Sequence, residues 1–122
     1  MRYMVITYGG PSDWAALEGS GPNAMSAEEI AAHHAAMQAL QEELTATGEL
    51  VTAFGLSEPE HAQTVDVRDG TPVVSDGPYA ETKEFLAGFG IIDVETHDRA
   101  VELAARFARA VSTRVELRPV YG

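Results

Sequence analysis

Apolar and polar positions alternate along Arg2 to Tyr8, "RYMVITY", the period-two pattern of a β-strand, and the pattern stops at Gly9-Gly10-Pro11. The stretch that follows, "SDWAALEGSGPNAM", is rich in turn formers and reads as a loop with a helical turn around Trp14 to Leu17. From Ser26 the period changes. Ser26-Ala27-Glu28-Glu29 has the capping-box pattern, and Ile30, Met37, Leu40 and Leu44 then recur at helical spacing up to about Thr47, where Gly48 supplies a stop. Glu49 to Leu56 reads as a second strand, and "SEPEHA" as a loop around Pro59. Two short strands follow, Gln63 to Arg68 and Pro72 to Ser75, joined through Asp69-Gly70, a strong hairpin signal. Phe85 to Val94 is a further strand, in which Gly88 and Gly90 mark a bulge or a close backbone approach. Thr96 caps a second helix over His97 to about Ala110, with Ala100, Val101, Ala104, Phe107 and Ala108 on its buried side, and Thr113 to Val120 closes the chain as a strand.

The order is strand, helix, strand, hairpin, strand, helix, strand: an α+β, ferredoxin-like βαββαβ unit with a hairpin insert, over one domain spanning residues 1–122. Two helices cover only one face of such a sheet. The other face calls for a partner, and a second copy packed sheet to sheet, a homodimer, is the expected solution.

Composition narrows the chemistry. The chain has no cysteine, which excludes disulfides, thiolate nucleophiles and Cys-based metal sites. Nineteen acidic residues against eight basic ones give a net charge of −11, which repels phosphate backbones and anionic membranes and argues against nucleic-acid binding. The opening apolar run is too short for a signal-peptide core and nothing later approaches a membrane span, so a cytoplasmic protein is expected. No zinc-protease, P-loop, dinucleotide-binding or nucleophile-elbow motif occurs. Neither a metal nor a cofactor is expected.

Of the four histidines, His33 falls inside the stripe of Ile30, Met37, Leu40 and Leu44 and is expected to face the sheet, whereas His34 lies toward its edge. His33 is then either a core histidine satisfied by a hydrogen bond or a general acid–base group in a cavity wall. Adjacent His33 and His34 point about 100° apart on a helix and cannot share one metal ion. Tyr3, Phe54, Phe85, Phe89 and Phe107 read as core first, with an aromatic-lined cavity as the alternative.

The most distinctive run is "SDGPYAETKE", residues 75–84, which holds the chain's only lysine, Lys83. Asp76-Gly77-Pro78 is explained by turn mechanics; Glu81, Lys83 and Glu84 are not, since a turn needs no particular charges. They are either a solvated ion-paired loop or a charged loop over a cavity mouth, with Asp76 or Glu81 as acid or base and Lys83 holding an anionic or phenolate oxygen.

"DGPYAETKE" resembles the DGPFAETKE signature of a branch of the YCII-related (YciI-like) proteins, and the resemblance extends through "RYMVITYG", "TGELV", "VRDGTPVVSDG", "GFGIIDV" and "VELRPV". Tyr79 stands where the signature has Phe, and Gly90 where many relatives carry Tyr. The resemblance implies a dimeric α+β barrel, one relative of which is associated with dechlorination of an aromatic intermediate. It also implies a catalytic pairing of a helix histidine, here His33, with an aspartate near the end of the second helix. That stretch, "RFARAVSTRV", contains no Asp, so Asp76 or Asp93 would have to substitute. The expected function is binding of a small organic molecule with cofactor-free acid–base chemistry: His33 and Asp76 catalytic, and Tyr79, Glu81 and Lys83 on the ligand. The alternative is a non-catalytic interaction or regulatory module, since such relatives are often encoded beside extracytoplasmic-function sigma factors.

Overall fold

The computed structural model describes residues 1–78 and 83–121. Its elements are β1 (Arg2–Gly9), α1 (Pro11–Leu17), α2 (Ala27–Thr47), β2 (Leu50–Gly55), β3 (Gln63–Arg68), β4 (Thr71–Asp76), β5 (Phe85–Asp93), α3 (His97–Val111) and β6 (Glu116–Pro119), with a single 3-10 turn at Pro59–His61. β2, β5, β1 and β6 form one antiparallel sheet in that order, and β3 pairs with β4 alone. With the hairpin set aside, each long connection crosses over a neighbouring strand and all neighbours run antiparallel, as in a ferredoxin-like α+β fold.

Local chemistry explains where the elements start and stop. The Ser26 hydroxyl accepts the Glu29 N–H at 3.1 Å while the Glu29 carboxylate accepts the Ser26 N–H at 3.3 Å, which satisfies two orphan donors of α2. Gly48 ends the helix in the left-handed region at φ 80°, where a side chain would be strained. The β3–β4 turn places Asp69 and Gly70 at φ 51° and 76°, a turn whose twist matches that of the strands. The first helix is longer than the helical turn expected around Trp14 to Leu17. It starts at Pro11, which suits the first helical position because it lacks an N–H, and the Asp13 carboxylate accepts the Gly10 N–H at 2.7 Å. A Pro followed two residues later by Asp was the legible signal.

Alternation along the strands sends Tyr3, Val5, Gly90, Ile92 and Leu117 toward the helices. There they meet Leu40 and Leu44 of α2 and Ala100, Leu103 and Phe107 of α3, and this layer is the core. Leu44, Ile92 and Leu103 are wholly buried. Bidentate pairing of Arg99 with Glu49, at 2.8 and 2.9 Å, ties α3 to the turn between α2 and β2, and an ion pair between Arg106 and Glu43 ties it to α2. The opposite face of the sheet carries Met4, Ile6, Phe54 and Phe89, and no helix or strand among the described residues is layered over it. Phe54 is 63 % exposed and stacks obliquely on Phe89, ring centres 6.1 Å apart. The hairpin is likewise one-sided: register puts Val65, Val67, Pro72 and Val74 on one face, all of them exposed.

Candidate functional site

The two layers do not meet evenly. Leu40 and Leu44, in the C-terminal half of α2, are pressed onto the sheet, but Ile30, His33 and Met37 in its N-terminal half are only half-buried. On the sheet beneath, β5 presents Gly88 and Gly90 in place of side chains. A Cβ on Gly88 would lie 3.1 Å from the Phe54 carbonyl oxygen and the Thr7 hydroxyl, tighter than ordinary contact, so a larger residue there would push on the neighbouring strands. Gly90 is different. A Cβ there would sit at ordinary contact, 3.7 Å from Ala53 Cβ and 3.8 Å from Phe107 Cζ, so there is room for one carbon at this point of the floor. The result is a cleft of about 760 Å³ between sheet and helices. Val5, Gly88 and Gly90 form its floor, His33, Met37 and Phe107 its helical wall, and α1 with the following loop closes one side through Trp14, Leu17 and Met25.

His33 is therefore a wall residue of this cleft. Partial burial, and then the neighbouring His34, push its imidazole below the usual value, so it is neutral at pH 7 and offers one donor and one acceptor nitrogen. The two imidazoles lie edge to face at 5.9 Å. No hydrogen bond holds the His33 ring among the described residues. The polar residues lining the cleft include the uncharged Thr7 and Gln41 and the acidic Asp13 and Glu84.

The other sequence-selected residues lie apart from His33. Asp76 ends β4, is exposed and is not part of the cleft lining. Asp93 is taken up at the far end of β5 by the N-terminal ammonium at 3.2 Å and by Arg2 at 3.5 Å, which hold its carboxyl below the usual range. Neither aspartate is brought to the imidazole. Lys83 is exposed; its carbonyl lies against Gly10, and its side chain is not in the cleft lining. Tyr79 and Glu81 lie outside the described residues. Among the described signature residues, Glu84 lines the cleft. Tyr3 and Phe107 are core, as first read, while Phe54 is on the open face.

One cluster escaped the sequence reading. The Trp14 indole N–H donates to the Leu56 carbonyl at 3.0 Å and so ties α1 to the end of β2, bringing Glu18 beside Glu58. Hydrogen bonding with Glu18, then with Glu60, pushes the Glu58 carboxyl up to about 7. His61 Nε2 lies 3.6 Å from it. Residues 40 positions apart give no local sign of meeting.

A four-stranded antiparallel sheet with two crossover helices on one face and a half-apolar cleft between the layers defines a small α+β domain. The YCII-related domain family matches residues 1–121, and the chain belongs to that family. It is also similar to an uncharacterised protein of Rhizobium meliloti (strain 1021), 34 % identical over 86 residues that make up 69 % of each chain. No helix among the described residues is long and apolar enough to cross a membrane.

Proposed function

We propose that this protein binds a small organic molecule in the cleft between its sheet and helices, and that His33 moves a proton on that molecule without a metal or cofactor. The observation that carries the reading is a neutral imidazole in the wall of a cleft of about 760 Å³, a size typical of small-molecule sites. An interaction module would need no such space. A single histidine suffices for a proton shuttle: its free nitrogen takes a proton from one position of the ligand and returns it at another. Asp76, outside the cleft lining, has no part in this proton step; Lys83, Tyr79 and Glu81 would act on the ligand. The unlayered sheet face and the one-sided hairpin support a homodimer that buries both.

The test uses 5-nitrobenzisoxazole, a neutral ring whose C–H proton passes to a base as its N–O bond breaks, giving the cyanophenolate. Turnover above buffer should rise with pH through a midpoint below the ordinary histidine value and fall to background in His33→Gln. Unchanged turnover in that variant would remove His33 from the chemistry. Sedimentation showing only monomer at micromolar concentration would remove the dimer.

A further inference from the structure

α1 and the loop after it form one side of the cleft, and this segment is held to the rest of the protein in few places. Within residues 10–25 the backbone hydrogen bonds close on themselves: the Ser20 N–H donates to the Ala15 carbonyl at 2.8 Å, the Met25 N–H to Ala16 at 3.1 Å and the Ala24 N–H to Gly21 at 3.3 Å. Ala16 is the one buried residue of the segment. Glycines border α1, with Gly10 where the chain leaves β1 and Gly19 just past the helix end at φ 79°. Among the described residues, two hydrogen-bonding ties lead out of it. The Trp14 indole N–H donates to the Leu56 carbonyl at 3.0 Å, and the Glu18 carboxyl is hydrogen-bonded to that of Glu58. Both ties land on the short stretch of chain leaving β2, and Leu56 lines the cleft beside Trp14, Leu17 and Met25. A self-contained flap with little buried area and one point of attachment is the part of a fold that opens most readily.

The Glu18–Glu58 tie exists only while one of the two carboxyls holds a proton. Among the described residues, the charged groups that act on Glu58 are Glu18 from the end of α1 and, on the 3-10 turn, Glu60 and His61, whose Nε2 lies at 3.6 Å. Hydrogen bonding with Glu18, then with Glu60, pushes the Glu58 carboxyl up to about 7, so the proton is held in mild acid and absent above neutrality. Once it leaves, the same contact sets two carboxylates against each other, with a third at Glu60. Repulsion between exposed carboxylates is weak, but it acts on a segment whose remaining tie is one hydrogen bond. We propose that residues 10–25 are a lid on the cleft, latched to the end of β2 by Trp14 and by a proton held between Glu18 and Glu58, and released when that proton leaves. Access to the cleft then opens as pH rises through neutrality, a consequence that rests on the cleft being the binding site.

Trp14 is the chain's only tryptophan, so its fluorescence reports on the lid. Acrylamide quenching of Trp14, followed without ligand from mild acid to mild alkali, should rise at least about twofold through a midpoint near 7 as the closed form gives way to the open one, while far-UV circular dichroism stays constant. The step should be absent in Glu58→Gln, whose amide keeps a hydrogen bond to Glu18 at every pH. It should persist in His61→Gln and His33→Gln, which removes the imidazoles as its source. No step in the parent, or a step that survives in Glu58→Gln, would overturn the lid. 2-phenylethanol, a neutral ring whose hydroxyl can meet the His33 imidazole, tests the cleft separately: added in mild acid, it should shield Trp14 from acrylamide further. The pH step without that shielding would leave the lid standing and remove the cleft as the place of binding.

Discussion

The sheet and its two helices make contact at two ends, and the ends behave differently. At one, Ile92 meets Leu44 and Leu103, all wholly buried, and the Arg99–Glu49 pair seals the edge. At the other, Gly88 and Gly90 face His33 and Met37 across a cleft. The same strand β5 and the same helix α2 contribute to both. Their difference is one of side-chain volume: where β5 carries Ile92 the layers close, and two residues earlier, where it carries Gly90, they stand apart around a gap. The packed end holds the fold at the position that lets the other end remain open, because a domain of this size cannot leave both unfilled.

The sharpest way to break this division is to hollow the closed end. Leu103→Ala should cost about 2 to 5 kcal/mol, the range for deleting a fully buried aliphatic side chain, read as a lower denaturant midpoint. A loss below about 1 kcal/mol would mean that this end is not packed as described. Filling the open end should do the opposite. Gly90→Leu has room for its Cβ and should keep the fold while reducing 2-phenylethanol binding at least about tenfold; retained binding would place the ligand elsewhere.

Smaller effects follow from the charges at the edges. Arg99, by hydrogen bonding, holds the Glu49 carboxyl below the usual range, so that pair stabilises the fold above the unfolded carboxylate value, and the benefit disappears as pH falls through the lower folded value. Glu49→Gln should therefore lower Tm at pH 7 and match the parent near pH 2; an equal deficit at both would point to packing rather than charge. Glu58 has the reverse sign. Its folded value of about 7 lies above the unfolded one, so the fold loses stability as pH rises from the unfolded value through 7. Glu58→Gln should raise Tm at pH 8.5 and leave it nearly unchanged at pH 4. A lower Tm at the alkaline end would contradict the crowding of Glu58 by Glu18 and Glu60.

The closed end was largely legible from the sequence, and the open end was not. Periodicity locates Leu40, Leu44, Ala104 and Phe107, although it put Val101 rather than Leu103 on the buried side of α3, and caps at Ser26, Gly48 and Thr96 fix α2 and α3 to within a residue or two, because these signals are local. The stripe also put His33 toward the sheet. What periodicity does not contain is the depth beneath it, which depends on Gly90 lying opposite Val5 and Ala53 in a register set by strands distant in sequence. Likewise the charge-rich signature drew attention to Asp76 and Lys83, yet Asp76 belongs to a hairpin that pairs apart from the main sheet, and among the described signature residues it is Glu84 that lines the cleft. Spacing gave no means of separating them, since alternate residues of a loop have no fixed direction.

The most direct test of the account is a residue-resolved amide NMR map of where 2-phenylethanol acts on the protein. Shifts should centre on Gly88, Gly90, His33 and Met37, with the β3–β4 hairpin from Gln63 to Asp76 unmoved. Shifts confined to the hairpin, with the glycine floor and α2 silent, would contradict it.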